Sequence, residues 1–365
     1  MGLQCGIIGI TNVGKTTIFN CMSSTKAQTG SFAFSSSKSN ISIINLPDAR
    51  LYVLEKYQPT DRIVHTTVEI VDIPGLAKGS SKGEGVGNKF LADIRNCDAL
   101  IHVLRCFDDA NLPHVDGSID PVRDIENVNF ELQIKDLESV EKKIQRLEKV
   151  AKSGDKDAKH GIDVLNVYKN HLESFQNART APVAEDDRKH ISDLFLLSTK
   201  PVIYVCNVDE ASAVNGNKYV EKVKNFLKNE ETEILIIAGK VEAEISELES
   251  EADRLDFLRE VGLQEPGVNK LIRAAYSLLD LETFFTVGPK EIRAWTIKKG
   301  MTAPQAAGVI HSDLERGFIR AEVMKYDDFI SLGSEHACKE KGKLGVEGKN
   351  YVVQDGDILH IRFNV

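Results

Sequence analysis

Residues Gly9 to Thr16 read GITNVGKT, which has the residue types and spacing needed to hold a polyphosphate. The apolar run from Leu3 to Ile8 precedes this segment and helix-compatible residues follow it, so the pattern predicts a strand, a glycine-rich turn and a helix start. Backbone N–H groups and the positive helix end would surround a β-phosphate, Lys15 would bridge β- and γ-oxygens, and the Thr16 hydroxyl would ligate Mg²⁺. The predicted nucleotide-binding residues of this loop are Asn12, Val13, Gly14, Lys15, Thr16 and Thr17.

A second phosphate-sensing element is predicted at Asp72. The strand-like run from Thr67 to Val71 ends there, and Asp72 begins the sequence DIPG. An aspartate in this position can hold a water bound to Mg²⁺, close to the γ-phosphate. A strand followed by Asp-x-Pro-Gly is also an ordinary turn. Because the same chain carries a phosphate-binding loop, the sequence favours the functional interpretation and adds Asp72 to Thr16 as a predicted metal ligand.

The rest of the first 280 residues alternates between strand-like and helix-like stretches. Further apolar runs lie at 99–106, 201–206 and 234–238. This alternation predicts an α/β fold with a mostly parallel sheet and helices on both faces. Ligands of such sheets bind at the carboxyl ends of the strands. Since Phe107 and Asn207 each follow a predicted strand, we expect them to converge with the phosphate-binding loop and Asp72 on one nucleotide.

A different periodicity appears between Glu131 and about Thr199, where apolar residues recur every three or four positions in two stretches. The polar sequence from Lys152 to Gly161 separates them, which predicts an antiparallel helical hairpin projecting from the sheet domain. Its tip carries more positive than negative charges, so it either contacts phosphate backbones or is a solvated helix surface. The basic residues are Lys142, Lys143, Arg146, Lys149, Lys152, Lys156 and Lys159.

The segment that would read the nucleotide base is Asn207-Val208-Asp209-Glu210. Guanine-specific proteins of this class have Asn-Lys-x-Asp here, and the aspartate accepts hydrogen bonds from guanine. In this chain Val208 replaces the lysine, and the last carboxylate lies one methylene further out on Glu210. Adenine lacks the 2-amino group, so a site without the matched aspartate leaves no buried carboxylate unpaired when adenine binds. The residues therefore make ATP a plausible ligand.

From about Leu281, short strand-like runs separated by turns predict a compact mixed-sheet domain that binds a partner and performs no chemistry. Four lysines of this segment are candidates for contact with RNA or protein, although nearby acidic residues nearly balance them and a solubilising surface fits as well. These lysines are Lys339, Lys341, Lys343 and Lys349.

Composition limits the class of protein. The chain has 365 residues, of which 42% are hydrophobic and 28% charged, so two or three domains are expected. No signal-type segment and no apolar run of the roughly 18 residues of a membrane span occurs, which predicts a cytoplasmic protein without a membrane partner. The six cysteines lack metal-ligand spacing and are expected to be reduced core thiols. A net charge of −9 argues against a protein that coats nucleic acid by its overall charge.

The motifs together resemble the YchF family of Obg-like ATPases, called ribosome-binding ATPases in bacteria, over essentially the whole chain. The similar segments are GITNVGKT, DIPGLAKGSSKGEGVGNKFLADIR, RCFDD, NVDE, EIRAWTIKKGMTAPQAAGVIH, GFIRAEV and VQDGDILHIRFNV. The resemblance implies a P-loop NTPase sheet domain of the Obg type, a helical coiled-coil insertion and a C-terminal TGS domain with a β-grasp fold. The corresponding boundaries are 1–130 with 200–280, 131–199, and 281–365.

The resemblance also implies individual site residues. The adenine pocket of the family falls on Phe107, Asn207 and Val208, with Phe107 and Val208 on either side of the ring. Leu76 stands where a Ras-like enzyme has its water-orienting glutamine, so another group must align the attacking water. The family's candidate matches His114, for which a structural or exposed loop histidine is the alternative. The threonine of the first switch segment corresponds to Ser36, a third predicted metal ligand whose register among neighbouring serines is ambiguous.

Three functional hypotheses follow. The first is an Mg²⁺-dependent ATPase that slowly hydrolyses ATP to ADP and phosphate, with Lys15 and His114 as catalytic residues, and couples nucleotide state to ribosome binding. The second is a nucleotide-switched ribosome- or RNA-binding protein in which hydrolysis is incidental. The third is an Obg-like GTPase. The expected partner is the ribosome, with its large subunit and ribosomal RNA as possible contacts of the hairpin or the TGS domain.

Overall fold

The computed structural model describes residues 3–24, 40–75 and 86–364. Within these residues, one compact unit is formed mainly by 3–24 and 69–271, and a second by 43–68 and 272–364. The strands are β1 (Gln4–Ile8), β2 (Asn40–Asn45), β3 (Ile63–Val64), β4 (Thr67–Asp72), β5 (Ala99–Arg105), β6 (Val202–Asn207), β7 (Ile234–Ile237), β8 (Leu281–Val287), β9 (Ile292–Lys298), β10 (Phe318–Lys325), β11 (Leu344–Glu347) and β12 (Asp357–Phe363).

Helices connect most of these strands, and four short 3-10 helices occur at Ala178–Thr180, Glu185–Ile191, Leu197–Thr199 and Glu210–Ser212 in the described chain. The α-helices are α1 (Lys15–Ser24), α2 (Arg50–Tyr57), α3 (Val86–Asn96), α4 (Pro121–Ala151), α5 (Lys156–Glu173), α6 (Lys218–Phe226), α7 (Gly239–Glu247), α8 (Glu251–Val261), α9 (Gly267–Leu278), α10 (Ala303–Ile310), α11 (Ser312–Arg316), α12 (Tyr326–Leu332) and α13 (Glu335–Glu340).

The first sheet has the order β2-β4-β1-β5-β6-β7. β1 pairs in parallel with β4 and β5, β5 with β6, and β6 with β7. Every residue of β5 and β6 is buried, which explains their continuous apolar sequences, because the central strands of a parallel sheet are covered on both faces. The predicted α/β sheet is confirmed, and its strand ends agree with the predicted ones to within one residue.

Helices α4 and α5 form the predicted antiparallel pair. Val140 and Ile144 of α4 pack against Leu165, Tyr168 and Leu172 of α5 in one apolar cluster. The turn between the helices is shorter than the stretch 152–161 that the sequence indicated. α5 already begins at Lys156, because the Asp155 side chain accepts a hydrogen bond of 2.9 Å from the N–H of Ala158 and caps the helix.

The second sheet has the order β11-β10-β12-β8-β9-β3. The central neighbours β8 and β12 are parallel, whereas β9 and β10 flank them antiparallel. Helix α10 packs against this sheet with Phe284, Ile297, Phe318 and Leu359 in the shared core. Parallel first and last strands with a helix packed against the sheet make this a β-grasp domain, as predicted. β3 adds an edge strand by pairing Ile63 with Ile292.

Two predictions from composition concern the core and the membrane. All six cysteines are buried thiols that form no disulfide bond, as expected for reduced core cysteines. Among the helices in the described ranges, none combines the length and apolar character that crossing a bilayer requires.

Candidate nucleotide-binding site

The loop between β1 and α1 requires glycine at two positions. Gly9 has a φ of 144° and Gly14 a φ of 93°, both in the region that side chains rarely adopt. A Cβ on Gly14 would lie 2.2 Å from Asn207 Nδ2, and a Cβ on Gly9 would lie 2.5 Å from the carbonyl oxygen of Val103. The loop therefore packs against the ends of β5 and β6, and any side chain at either glycine would displace it.

Lys15 lies at the first position of α1 with only 8% of its surface exposed. Its Nζ donates a hydrogen bond of 2.5 Å to the carbonyl oxygen of Ile10. Burial lowers the pKa of Lys15 to about 8, and the charge of Asp72 offsets only part of this effect. A buried ammonium group beside so little negative charge is electrostatically suited to an anionic ligand.

Thr16 and Asp72 come together although 56 positions separate them in the sequence. The Thr16 hydroxyl donates to Asp72 Oδ2 over 3.2 Å. Burial raises the pKa of Asp72, while the Thr16 hydrogen bond and the charge of Lys15 oppose the rise. Hydroxyl and carboxylate oxygens beside a phosphate-binding loop are ligands that suit Mg²⁺, so the predicted metal pair fits this ion. The predicted ligand Ser36 and the neighbouring Leu76 lie outside the described residues.

Asn207 joins three segments of the site. Its Nδ2 donates to the carbonyl oxygen of Val13 over 2.8 Å, and its Oδ1 accepts a 2.9 Å hydrogen bond from the N–H of Gly239. The side chain thus ties the phosphate-binding loop to the start of α7 and leaves one amide N–H for a ligand. The family resemblance implies that Asn207 contacts the base, which stays a prediction, and the structure adds this positioning role. Gly239 was missed, since a single glycine after an apolar run carries no specific signal.

Arg105 organises the loop that carries Phe107, a role that the sequence analysis did not assign to it. Its guanidinium group donates to the carbonyl oxygens of Phe107 and Asp109 over 3.2 Å each and of Leu112 over 2.8 Å. The guanidinium carbon also lies 4.8 Å from the centre of the Phe107 ring. Arg105 is 1% exposed, and a charged residue at the end of an apolar strand was the available signal.

The residues predicted to contact the base lie at the ends of adjacent strands, where Arg105 pairs with Asn207 in the sheet register. Phe107 is half-buried, whereas Val208 is buried and its N–H donates to the carbonyl oxygen of Ile237 over 2.9 Å. The placement of a purine between Phe107 and Val208 stays a prediction.

The two carboxylates after Val208 differ in their environments. Asp209 accepts a 3.0 Å hydrogen bond from the N–H of Ser212 and caps the short 3-10 helix that begins at Glu210. Glu210 itself is exposed. Asp209 therefore stabilises the turn, whereas Glu210 is the carboxylate at the position that reads guanine in Asn-Lys-x-Asp proteins.

His114 is held by two hydrogen bonds in the loop before α4. Its Nδ1 accepts from the N–H of Asp116 over 3.1 Å, so Nε2 carries the proton directed at Asp124 Oδ2, 3.2 Å away. The side chain is only 4% exposed, which argues against an exposed loop histidine. Asn12 Nδ2 donates to the carbonyl oxygen of Pro113 over 3.2 Å and links this loop to the phosphate-binding loop. In this arrangement a neutral imidazole has no free lone pair for a water molecule.

Comparison with known proteins agrees with this geometry. The chain is 48% identical over 365 residues to the ribosome-binding ATPase YchF of Haemophilus ducreyi and 47% identical over 367 residues to that of Bacillus subtilis, with complete coverage of each chain. The chain belongs to the YchF family. The family predicted from the sequence motifs is thereby confirmed.

Family models and solved structures extend this YchF assignment to the parts of the chain. The 50S ribosome-binding GTPase model matches residues 4–156, and the YchF-GTPase_C model, described as a protein of unknown function (DUF933), matches residues 281–364. The YchF GTPase structure from Schizosaccharomyces pombe superimposes with a TM-score of 0.88 at 33% identity, covering 99% of this chain and 98% of that chain. A GTP-binding protein from Pyrococcus horikoshii shares the fold at 18% identity, a TM-score of 0.60, and coverage of 99% and 100%.

Proposed function

We propose that this YchF protein is a nucleotide-binding, ribosome-associated ATPase that hydrolyses ATP to ADP and phosphate and changes its ribosome binding with nucleotide state. The observation that carries the proposal is the buried Lys15 beside the Thr16–Asp72 pair, at the N-terminus of α1. A polyphosphate would supply the negative charge that Lys15 lacks. The names of the bacterial relatives, which include both ATPase and ribosome binding, support the same function.

Mg²⁺ is the proposed cofactor, with Thr16, Asp72 and, from the sequence alone, Ser36 as its protein ligands. When bound, the ion would neutralise charge on the β- and γ-phosphates. The protein's own contribution is positioning: backbone N–H groups of the loop orient the phosphates, and Lys15 holds the β- and γ-oxygens.

His114 is the proposed residue for aligning the attacking water. Because both of its nitrogens have partners in this arrangement, its imidazole must exchange the hydrogen bond to Asp124 or to Asp116 before it contacts water. We expect slow intrinsic hydrolysis, since the sequence has Leu76 where a Ras-like glutamine would stand and this exchange precedes catalysis.

Preference for ATP over GTP is proposed from Val208 and Glu210, which replace the lysine and aspartate of a guanine-reading segment. The names of the relatives differ on this point, because the bacterial proteins are called ATPases and the Schizosaccharomyces pombe protein a GTPase. Competition of unlabelled ATP and GTP for a fluorescent nucleotide tests the preference directly. At least roughly tenfold tighter binding of ATP, about 1.4 kcal/mol, supports the proposal, and a comparable preference for GTP identifies an Obg-like GTPase.

Turnover is tested with purified wild-type protein and Lys15→Ala, which lacks the ammonium group; a far-UV CD spectrum and unfolding curve like those of wild type verify that the variant is folded. Phosphate release should be lost in this variant. Persistent release would show that the activity belongs to another site or a contaminant.

The second candidate function treats hydrolysis as incidental and nucleotide as a conformational ligand. This candidate is supported by the two hydrogen bonds of His114, because an imidazole with both nitrogens engaged cannot align a water molecule. If His114→Ala leaves phosphate release unchanged while ATP still alters co-sedimentation with ribosomes, the switch function is supported and the catalytic role of His114 fails. The proposed partner in both cases is the ribosome, with the large subunit and ribosomal RNA as contacts of the hairpin or TGS domain, and the proposed location is the cytoplasm.

A further inference from the structure

Two histidines and an aspartate meet on the helical hairpin, away from the residues assigned to the nucleotide. His160 lies in α5, whereas Asp187 and His190 lie in the 3-10 helix Glu185–Ile191. One ligand atom from each of the three side chains lies within 4.8 Å of those of the other two. His160 Nε2 is 2.7 Å from Asp187 Oδ1, and the two imidazole rings have centroids 5.3 Å apart.

His190 provides an independent sign that this cluster is built for a ligand. Only 8% of the residue is exposed, and its Nε2 is buried without a hydrogen-bond partner among the described residues. A buried polar atom without a partner destabilises the folded chain. A metal ion bound by this nitrogen would remove that cost.

Gly161 provides the space in which the His190 ring lies. A Cβ at this position would be 3.1 Å from His190 Nδ1, closer than such atoms normally approach. Glycine in a helix interior destabilises the helix relative to alanine, and Gly161 lies within α5. Gly161 thus weakens α5 but leaves the space that allows the His190 imidazole to lie beside His160.

The backbone and charges around the cluster favour a fixed site. Lys143 Nζ donates to the carbonyl oxygen of His190 over 2.7 Å and pairs with Asp193, so its charge is compensated. Arg188 pairs with Glu185 over 2.9 Å. The position of His190 is therefore held from α4, while Asp187 supplies the carboxylate.

We propose that His160, Asp187 and His190 bind a divalent transition-metal ion of the zinc class. Two imidazoles and one carboxylate are the donor set of open zinc sites, in which water completes a tetrahedron. Hard ions such as Mg²⁺ prefer oxygen ligands and do not compete well for two imidazoles. The ion joins α5 to the segment Glu185–Ile191 and restricts the movement of one against the other.

The test uses full-length protein freed of metal by a chelator, without nucleotide and with Mg²⁺ in excess. Zn²⁺ is titrated by calorimetry and by competition with a chromophoric chelator. We expect one Zn²⁺ ion per chain. His160→Ala and Asp187→Asn should each lower the Zn²⁺ affinity at least about tenfold, because removal of a residue that only supports a metal ligand already has an effect of this size. Both residues are partly exposed, so the variants should fold.

His171→Ala is the matched control, because His171 lies on the same helix but bonds to Thr180 instead of the cluster. It should bind Zn²⁺ as wild type does. Zn²⁺ should also raise the unfolding temperature of wild type and of this control but not of His160→Ala. Absence of a stoichiometric site, or equal Zn²⁺ affinity in wild type and His160→Ala, overturns the proposal. Nucleotide binding is not involved in either readout.

Discussion

At the scale of single residues, Lys15 places an electrostatic cost in the nucleotide-free protein. Its pKa falls from 10.5 to about 8 because burial disfavours the charged form. The unfolded chain therefore binds more protons than the folded chain between these values, and stability increases as pH rises through this window. Below about pH 8 the folded protein bears the cost in full, at about 1.4 kcal/mol per pKa unit.

Lys15→Met should therefore stabilise the nucleotide-free protein at pH 7 by up to about 3 kcal/mol. The gain should decrease as pH approaches 10.5, and ATP should no longer stabilise the variant. Urea unfolding at pH 7 and pH 9.5, with and without ATP, measures both effects. Lys240→Met, at a side chain that is 82% exposed, is the control: its stability should equal that of wild type at both pH values, and ATP should still stabilise it. A variant less stable than wild type at pH 7 would contradict the electrostatic argument.

Asn207 should matter for stability as well as for ligand binding. Asn207→Ala leaves the carbonyl oxygen of Val13 and the N–H of Gly239 without their partner, which should cost about 1–3 kcal/mol. ATP affinity should fall in parallel because the phosphate-binding loop loses its tie to α7. Urea unfolding and nucleotide titration give the two values. Exposed Asn229→Ala is the control, and equal stability of the two variants would refute the bridging role.

The sequence was sufficient to predict the turn between β1 and α1 and the proximity of Thr16 to Asp72, because both motifs follow strands that end at the same edge of a parallel sheet. Their phosphate and Mg²⁺ binding stays a prediction. The sequence was insufficient for Arg105, Asn207 and His114. Their partners are backbone groups or an aspartate whose positions exist only after the strands and α4 have assembled. The sequence shows that these side chains can form hydrogen bonds, but it does not show which atoms they contact.

At the scale of elements, continuous apolar runs predicted β5 and β6 because a buried parallel strand needs apolar residues on both faces. The hairpin turn was predicted too long for a physical reason as well. Gly161 suggests a break in a helix, yet packing of α5 against α4 outweighs its low propensity. The two-residue strand β3 had no detectable signal, since its pairing with β9 depends on a distant segment.

Helix α4 is anchored at its middle by Asp136. This residue is 1% exposed and accepts hydrogen bonds from the N–H of Leu197, the N–H of Ser198 and the Ser198 hydroxyl over 2.6–2.7 Å. Burial raises the pKa of Asp136 from 3.8 to about 6, although these three donors oppose the rise. The folded chain binds more protons than the unfolded chain in this window, so the Asp136 contribution to stability falls as pH rises from 3.8 to about 6.

Asp136→Ala should destabilise the protein by about 3 kcal/mol or more, because it leaves buried donors unpaired. Hydrogen exchange at Leu197 and Ser198 should accelerate, and the part of the pH dependence between 3.8 and about 6 that Asp136 causes should disappear. Unfolding curves across this range measure the loss of stability and its pH dependence, and amide hydrogen exchange followed by NMR measures the opening at Leu197 and Ser198. Glu126→Ala, at an exposed position of the same helix, should leave all three observations unchanged. Unaltered exchange at 197–198 in Asp136→Ala would exclude the anchor.

At the scale of the whole molecule, the net charge of −9 contrasts with the excess of basic side chains at the tip of the hairpin, between residues 142 and 159. Lys143 is engaged with Asp193 and His190. The other six basic side chains of this region are exposed, and within the described chain no ion pair of theirs is observed. They are Lys142, Arg146, Lys149, Lys152, Lys156 and Lys159. This basic surface on an acidic protein would favour approach to a phosphate backbone with the hairpin tip first.

Charge reversal on α4 tests whether this surface binds ribosomal RNA. Lys142, Arg146 and Lys149 occupy positions i, i+4 and i+7, so their side chains share one side of the helix. Changing all three to Glu should weaken co-sedimentation with ribosomes, and the slope of log affinity against log salt should decrease by about 0.7–0.9 for each phosphate that the protein no longer neutralises. Phosphate release without ribosomes should stay at the wild-type rate, because these residues lie outside the nucleotide site.

The matched variant replaces the exposed Lys339, Lys341 and Lys349 of the C-terminal domain with Glu. Failure of co-sedimentation only in this second variant would assign RNA binding to the β-grasp domain, since removal of a side chain that neutralises a phosphate must change both affinity and its salt dependence.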